Sequence, residues 1–285
     1  MRVCDILKKD GFVLSFEFFP PRKKDTEINF WETVERLSAL SPDFVSMTYG
    51  AGGSTHEKSI ELVLKLKSMN LNTVAHITCI STPIDKLKET LNLLKMEGIE
   101  NLLALRGDTP QGWERPPGEY FSYAWQLVEL AASYDYFCIG VAGYPEGHIE
   151  AKSLEEDIKY LKFKVDKGAH FVITQLFFDN RFFYDFVERA RKAGIEVPII
   201  PGIMPITNYS QVTRFTEICG ASIPSKLYEK LEKYKDNPEE IKKVGVEYTI
   251  LQCKDLIDQG VKFFHFYTLN TYSVVERIVK ETGIR

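Results

Sequence analysis

The chain has 285 residues, of which 44% are hydrophobic and 27% are charged, and its formal net charge is −4. This composition is typical of a globular protein with a large core, and no apolar run approaches the roughly 20 residues of a membrane span, which argues against a membrane protein. The acidic balance argues against general nucleic-acid binding, which needs a basic surface.

The amino-terminal residues lack the apolar stretch of a secretory signal, and the five cysteines contain no C-x-x-C pair. We therefore expect a cytoplasmic protein whose thiols are reduced. His76 and Cys79 come nearest to a metal motif. Because residues three apart on a strand point to opposite faces, we expect no metal site there.

Short β-rich apolar runs alternate with longer amphipathic helical patterns along the chain. The apolar runs predict eight strands, at residues 13–19, 44–49, 73–80, 101–107, 137–144, 171–178, 197–204 and 263–269. Repeated βα units indicate a parallel sheet, and eight of them favour a closed barrel over an open doubly wound sheet. The predicted fold class is α/β, with residues 1–285 forming one (β/α)8 TIM-type barrel.

Two regions depart from the regular spacing. Residues 108–120 are rich in proline and glycine and predict a long loop after the fourth strand. Residues 224–260 contain two helical patterns, the second of which opens at Asn237 and Pro238. We interpret these patterns as extra helices before the last strand rather than as a second domain.

Polar residues stand at the carboxyl end of nearly every predicted strand, where α/β barrels carry their active sites. They are Glu17, Thr48, Tyr49, His76, Arg106, Asp108, Tyr144, Gln175, Tyr267 and Asn270. For any one of them, a solvated loop position or a satisfied polar group is an equally good explanation. For the whole set, an active site at the barrel mouth is the better one.

Glu17 lies among Phe16, Phe18 and Phe19, so its carboxylate is carried on an apolar strand. Burial disfavours the charged form of a carboxyl group and predicts a raised pKa, which suits a general acid near neutral pH. The alternative is a structural pair with a buried arginine or lysine.

The sequence Leu-Arg-Gly-Asp ends the fourth predicted strand. Arg106 and Gly107 suit a phosphate or a planar heteroaromatic ring that approaches the backbone, and Asp108 can hydrogen-bond a pterin-like ring. The alternative is a surface ion pair between Arg106 and Asp108. Neither a G-x-G-x-x-G fingerprint after the first strand nor a P-loop is present, so any dinucleotide must be held by the barrel loops.

A helix is predicted to begin near Ser153, and its amino terminus could receive a pyrophosphate. Asp157, Leu161 and Lys164 follow at the spacing i, i+4 and i+7, so they share one face of this helix. A solvated charged face is the more common meaning of such spacing.

Eight motifs together resemble the bacterial methylenetetrahydrofolate reductase family, in the family's order and over almost the whole chain. They are SFEFFPPR, TYGA, AHITCI, ALRGD, YPEGHIEAKS, ITQLFFD, IIPGIMP and FHFYTLN. The resemblance implies a flavin barrel that carries FAD non-covalently. It also implies reduction of 5,10-methylenetetrahydrofolate to 5-methyltetrahydrofolate by NADH or NADPH in a ping-pong hydride relay.

The resemblance also assigns roles to single residues. Glu17 matches the general acid that protonates the folate and opens its imidazolidine ring, and Asp108 matches a catalytic aspartate that contacts the pterin. Gln175 matches a glutamine that contacts folate and nicotinamide in turn, while Gln211 and Phe215 match residues near the folate.

Positions that match cofactor contacts form a larger set, which by the resemblance holds FAD and, at Thr48, the nicotinamide. They are Thr48, Tyr49, Ala51, His76, Arg106, Gly107, Asp108, Tyr123, Ala124, Tyr144, His148, Ala151, Asp157 and Lys164. For Tyr123 and Ala124, ordinary helix packing is the alternative.

Three positions depart from the family pattern. Tyr160 and Phe163 replace polar residues on the flavin side, and Thr271 replaces an arginine that helps to hold folate. The regulatory domain that follows the barrel in eukaryotic members is absent from this sequence, so we expect no control by S-adenosylmethionine.

The choice between NADH and NADPH stays open, and a homo-oligomer is expected only from the resemblance. Two alternatives to the reductase reading also stay open. In one, the same flavoprotein receives electrons through a partner protein instead of directly from a nicotinamide. In the other, the chain is a folate-binding subunit without catalysis of its own.

Overall fold

A computed structural model of the chain describes residues 1–21, 26–48, 53–109, 112, 116 and 118–285, with the backbone alone for 53–56. The strands are β1 (Val13–Phe18), β2 (Phe44–Met47), β3 (Thr73–Thr78), β4 (Asn101–Leu105), β5 (Cys138–Gly143), β6 (Phe171–Thr174), β7 (Ile199–Ile200), β8 (Gly202–Ile203) and β9 (Phe263–Tyr267). The helices are α1 (Val3–Ile6), α2 (Glu27–Ser38), α3 (Gly53–Ser68), α4 (Ile84–Met96), α5 (Ala124–Ala132), α6 (Leu154–Asp166), α7 (Asn180–Lys192), α8 (Tyr209–Cys219), α9 (Ser225–Lys233), α10 (Pro238–Asp258) and α11 (Tyr272–Thr282).

All strands are parallel and follow the order β7-β6-β5-β4-β3-β2-β1-β9-β8, which bends into a nearly closed barrel. The predicted seventh strand, residues 197–204, is divided in two at Pro201. β7 pairs with β6, β8 pairs with β9, and the Pro201 carbonyl accepts a hydrogen bond from the His265 backbone at 3.1 Å. Because proline has no N–H for the ladder, the strand breaks there while the ring continues. The prediction of a (β/α)8 barrel is confirmed.

Alternation along β1 decides what faces the barrel interior. Leu14, Phe16 and Phe18 pack in the core between strands and helices, whereas Val13 packs in a separate cluster inside the barrel. Because successive side chains of a strand point to opposite faces, Ser15 and Glu17 share the interior face with Val13. This geometry places the Glu17 carboxyl group inside the barrel.

The helices begin where the sequence supplies caps. Ser153, Asp179, Asn208 and Asn237 each accept a backbone N–H from the first turn of the helix that follows. The predicted extra helices before the last strand are α9 and α10, so that prediction is confirmed. None of the helices in the described ranges is long and apolar enough to cross a membrane.

The short helix α1 covers the amino end of the barrel. Its residues Val3 and Ile6 are 0% and 2% exposed and join an apolar cluster with Phe44 and Phe171. Both polar atoms of the buried Asn101 side chain make hydrogen bonds there. Its Oδ1 accepts from the Val3 N–H at 2.7 Å, and its Nδ2 donates to the Met1 carbonyl at 3.1 Å. This end of the barrel is therefore closed.

Candidate active site

The carboxyl ends of the strands surround a cavity of about 810 Å³. A pocket of this size, with mixed apolar and polar walls, is typical of a cofactor or substrate site. The predicted site residues that line it are Glu17, Thr48, His76, Arg106, Gly107, Asp108, Tyr144, His148, Lys164, Gln175 and Phe215. Tyr267, a strand-end residue to which no role was assigned, also lines it.

The remaining predicted site residues do not line this cavity. Tyr123 is 54% exposed and caps α5 together with Gln126, beside Ala124, which agrees with the helix-packing alternative. Ala151 lies in the turn after His148. Gln211 lies in the first turn of α8.

Two further cofactor positions cannot be compared with the cavity, because Tyr49 and Ala51 lie outside the described residues. Part of the predicted loop 108–120 lies outside them as well. Its described end, Tyr120, forms an isolated bridge with Pro83.

Glu17 is 6% exposed at the base of the cavity. Its Oε1 accepts a hydrogen bond from the Thr48 hydroxyl at 2.9 Å, and its Oε2 lies 3.3 Å from His265 Nε2 and 3.5 Å from His76 Nε2. The alternative of a buried arginine or lysine partner is wrong, since the partners are histidines and a threonine.

The expectation of a raised pKa for Glu17 is corrected. Burial raises the pKa of Glu17, but the nearby His76, the hydrogen bond and charge of His265 and the hydrogen bond from Thr48 together lower it by more. The net direction is a pKa below the ordinary value of a glutamate. The sequence could not show this, because His265 lies 248 residues away along the chain.

His76 is 3% exposed, and neither of its ring nitrogens has a hydrogen-bond partner among the residues that the structure describes. Burial lowers the pKa of His76, more than the charge of Glu17 raises it. A neutral imidazole at the cavity wall therefore keeps both a donor and an acceptor unused. Such a group is prepared to bind a polar ligand.

Lys164 forms the cavity wall on the α6 side. The prediction that Asp157, Leu161 and Lys164 share one face of this helix is confirmed. Asp157 and Leu161 are 7% and 2% exposed, so the alternative of a solvated charged face is wrong. The Lys164 ammonium donates to the Ala142 carbonyl at 2.6 Å and lies 6.0 Å from the Tyr144 ring centroid. Burial lowers the pKa of Lys164 to about 8. Asp157 lies behind this wall rather than on the cavity surface.

The alternative of a surface ion pair between Arg106 and Asp108 is wrong, because Arg106 pairs with another residue. Its guanidinium makes a bidentate ion pair with Glu150 from the loop after β5, with Nη2 2.8 Å from Oε1. Asp108 is exposed at the cavity rim. Gly107 has φ +82°, and a Cβ there would lie 2.9 Å from the Thr78 Cβ, so the backbone passes close to the wall.

The amino terminus of α6 differs from the expected pyrophosphate site. Ser153 caps the helix by accepting the Glu156 N–H at 3.2 Å, and the first turn carries Glu155, Glu156 and Asp157. These carboxylates oppose a second anion at the same place. The lysine and arginine residues that line the cavity in the described structure are Lys86, Arg106 and Lys164. Arg106 and Lys164 lower the pKa of His148 after the larger effect of burial.

The three departures from the family pattern lie away from the cavity wall. Tyr160 and Phe163 are 52% and 41% exposed on the outer side of α6, where Phe163 packs edge-on against Trp125 with ring centroids 5.0 Å apart. Thr271 is the residue before α11. None of the three lines the cavity in the described structure.

Two polar residues below the cavity were missed by the sequence interpretation. Ser15 and His265 are both 0% exposed, and the Ser15 hydroxyl lies 2.8 Å from His265 Nδ1. The signal was present, because each lies two residues from a predicted polar strand-end residue, Glu17 or Tyr267, and so shares its face. Asn270, by contrast, holds the backbone of Phe19 through two hydrogen bonds of 3.0 and 2.8 Å.

Comparison with protein families identifies one match that spans nearly the entire chain. The model described as "Methylenetetrahydrofolate reductase" matches residues 2–283. The chain belongs to the methylenetetrahydrofolate reductase family.

Relatives in this family come from bacteria and plants. The 5,10-methylenetetrahydrofolate reductase of Escherichia coli (strain K12) is 40% identical over 95% of this chain and 91% of its own length. The probable methylenetetrahydrofolate reductase (NADH) of Oryza sativa subsp. japonica is also 40% identical over 95% of this chain, but over 48% of its own length. The chain thus spans about half the length of the plant relatives it matches.

A solved structure shows the same fold at low sequence identity. It is an uncharacterized protein from Clostridium thermocellum that binds two copies of 5-methyl-5,6,7,8-tetrahydrofolic acid. It is 14% identical and has a TM-score of 0.67, with 100% of this chain and 99% of the other covered. This likeness concerns the fold alone.

The residues at the cavity of this reductase family member fit FAD. Arg106 and Lys164 are among the basic residues that line the cavity, and they can receive a diphosphate. The unused nitrogens of His76 can receive polar atoms of a ring. At Gly107 the absence of a Cβ leaves the backbone accessible to a planar group.

Proposed function

We propose that this chain reduces 5,10-methylenetetrahydrofolate to 5-methyltetrahydrofolate with bound FAD and a nicotinamide, and that Glu17 is the general acid. Family membership supports the reaction type. Two relatives named as NADH-dependent reductases support NADH as the electron donor. The observation that carries the proposal is a buried carboxyl group at the base of a cavity of about 810 Å³.

The chain's own residues have separate tasks in this proposal. Arg106, Lys164, His76 and the backbone at Gly107 would hold FAD, which would supply hydride transfer between the nicotinamide and the folate. Glu17 protonates a nitrogen of the folate imidazolidine ring, so that the ring opens to an iminium that can accept hydride. Gln175 and Phe215 line the same cavity. Gln175 contacts folate and nicotinamide in turn, Phe215 lies near the folate, and Asp108 at the rim contacts the pterin.

The lowered pKa of Glu17 places a condition on this chemistry. In the ligand-free cavity the carboxyl group is ionised near neutral pH, because His76, His265 and Thr48 outweigh its burial. Aromatic rings that cover the cavity expel water, and loss of water favours the neutral form of a carboxyl group. We therefore propose that bound flavin and folate help Glu17 to hold its proton.

The first test is an absorption spectrum of the purified protein, followed by anaerobic titration with NADH and with NADPH. We expect a flavin spectrum that one of the two bleaches and that methylenetetrahydrofolate restores. A protein that binds no FAD contradicts the proposal. If neither nicotinamide bleaches the flavin, but methylenetetrahydrofolate reoxidises flavin that has been reduced chemically, the electron donor is a partner protein.

The second test is Glu17→Gln, with Glu61→Gln on the exposed side of α3 as the control. We expect flavin reduction by the nicotinamide to be largely retained, because it needs no acid. Folate reduction should fall about 100- to 10,000-fold, the usual contribution of a general acid. Unchanged folate reduction in the Glu17 variant would show that the acid is another group.

A further inference from the structure

Two parts of the cavity wall come from distant parts of the chain. The loop after β5 contributes Tyr144 and His148, which by the resemblance are FAD contacts. The carboxyl-terminal half of α8 contributes Phe215, Ile218 and Cys219. In the proposed function, Phe215 lies near the folate. The position of α8 relative to this loop therefore decides how closely the wall fits a bound folate.

Glu146 connects these two parts of the wall. It lies between Tyr144 and His148 in the loop, and its carboxylate accepts hydrogen bonds from Ser222, three residues after Cys219. The Ser222 backbone nitrogen lies 3.1 Å from each carboxylate oxygen, and the Ser222 hydroxyl donates to Oε2. One carboxylate thus takes both donors of the residue that follows the end of α8.

The packing of α8 itself is sparse. In the described structure, Val212 in the first turn is the one buried residue among its 11. By contrast, α11 also has 11 residues and buries Val274, Val275, Ile278 and Val279. Because burial of apolar side chains is the main force that holds a helix on a barrel, α8 should be held more weakly than α11.

The two ends of α8 also differ. Before the helix, Met204 and Ile206 are 3% and 1% exposed and belong to the apolar cluster against which α8 packs. After the helix, Ala221 and Ile223 are partly buried against the same cluster, and Ser222 between them is exposed. The carboxyl-terminal end of α8 therefore depends more on hydrogen bonds than the amino-terminal end does.

The loop after β5 has further contacts that do not involve α8. Glu150 forms the ion pair with Arg106, and the Pro145 carbonyl accepts a hydrogen bond from Arg189 on α7 at 2.8 Å. Without the Glu146 carboxylate, the loop should keep its position through these contacts. The end of α8 is then the part that moves.

We propose that Glu146 is a positioning residue for the folate, which holds the carboxyl-terminal end of α8 against the cavity through Ser222 and so sets the affinity for the folate. This inference rests on the proposed function, in which Phe215 lies near the folate. Glu146 is not among the cavity-lining residues of the described structure, so it acts through α8.

The expected effect follows from the fraction of molecules in which α8 is in place. A ligand that needs α8 binds with an apparent dissociation constant that rises as this fraction falls. Hydrogen bonds to a carboxylate are strong enough to change the fraction about tenfold. Once folate is bound, α8 is in place again, so the rate of the chemical step should not change.

The kinetic test is the folate half-reaction. Enzyme with reduced FAD is mixed with methylenetetrahydrofolate at increasing concentrations in a stopped-flow instrument, and reoxidation of the flavin is followed. Glu146→Ala should raise the half-saturating concentration about tenfold and leave the limiting rate unchanged. The dissociation constant of FAD should not change. An unchanged half-saturating concentration overturns the inference, and so does an equal loss of FAD affinity, which would place the effect in the loop.

A double-mutant cycle tests whether Glu146 acts through Ser222. Ser222→Ala removes the hydroxyl donor and leaves the backbone N–H, so it should have a smaller effect than Glu146→Ala. In the double variant, Ser222→Ala should add nothing to Glu146→Ala, because the acceptor is already gone. Additive effects would show that the two residues act independently and would overturn the inference.

Glu217→Ala is the matched control, because it removes an exposed carboxylate from α8 itself. We expect its half-saturating concentration to equal that of the wild type. The same increase in Glu217→Ala as in Glu146→Ala would show a general effect of charge and would contradict the positioning role.

Hydrogen exchange separates this inference from the proposed function. In the protein with FAD but without folate, the backbone amides of residues 215–222 should exchange faster in Glu146→Ala than in the wild type, while those of α11 should not change. Equal exchange at 215–222 in the two proteins overturns the positioning role. A wild type whose reduced flavin is not reoxidised by methylenetetrahydrofolate contradicts the proposed function, and hydrogen exchange then still decides whether Glu146 holds α8.

Discussion

The two ends of the barrel differ in whether their buried polar side chains have hydrogen-bond partners. At the amino end, Asn101 is 1% exposed and uses both its oxygen and its nitrogen in hydrogen bonds, beneath the apolar residues of α1. At the carboxyl end, His76 is 3% exposed and neither of its ring nitrogens has a partner among the described residues. The amino end is built for stability, whereas the carboxyl end keeps polar groups available for a ligand.

This difference has an energetic reason. An unpartnered polar atom in a buried position costs about 1–3 kcal/mol, so a fold keeps few of them unless a ligand satisfies them. Changes at the amino end should therefore affect unfolding, and changes at the carboxyl end should affect binding.

The largest expected effect on stability is at the amino end. Ile6→Ala removes a side chain that is 2% exposed and should lower the free energy of unfolding by about 2–5 kcal/mol, because a cavity replaces packed atoms. Urea denaturation measures the loss. The rate of flavin reduction in the folded protein should not change. If Ile6→Ala kept the wild-type free energy of unfolding, or if the folded variant reduced its flavin more slowly, the amino end would not serve stability alone.

The next effect compares two glycines with positive φ at opposite ends. Gly107 has φ +82° and Gly11 has φ +93°, so alanine at either position should cost about 1–2 kcal/mol of stability. A Cβ at Gly107 also meets Thr78 at 2.9 Å, whereas nothing lies within 4 Å at Gly11. Only Gly107→Ala should weaken FAD binding, by about tenfold or more, as measured by quenching of flavin fluorescence. Equal FAD affinities in the two variants would show that Gly107 does not shape the cofactor site.

Lys164 gives a pH-dependent comparison. Its pKa is lowered from 10.5 to about 8 by burial, so between these values the unfolded chain binds the proton that the folded chain has released. The free energy of unfolding of the wild type, minus that of Lys164→Met, should rise with pH in this window and stay flat below it. Urea denaturation across the window measures the difference. A flat difference throughout would show that Lys164 is not buried in solution.

The smallest effect concerns the ion pair at the cavity rim. Glu150→Gln removes the partner of Arg106, and Glu129→Gln removes the partner of Lys167 on the outer surface. Both should change the free energy of unfolding by less than about 1 kcal/mol, because these pairs are exposed to solvent. Only Glu150→Gln should change the dissociation constant of FAD, since Arg106 lines the cavity. An identical FAD affinity in both variants would remove Arg106 from the cofactor site.

Sequence patterns determined the barrel and the end that carries the site. Alternating βα units predicted the parallel strands, and two helical patterns, the second opening at Asn237 and Pro238, predicted the extra helices α9 and α10. The phenylalanines around Glu17 were enough to predict that its carboxylate is carried on an apolar strand. The motifs identified the family. The roles of single residues toward FAD and folate remain predictions.

Only the tertiary structure decided the partners of the charged groups. Glu17 meets His265 from 248 residues away, and Arg106 meets Glu150 from 44 residues away. Burial raises the pKa of Glu17, but its contacts with His76, His265 and Thr48 lower it by more, where the local sequence predicted a raised pKa. The physical reason is that burial can be predicted from a strand's own residues, whereas electrostatic partners depend on the register of neighbouring strands and on closure of the barrel, which brings β9 beside β1.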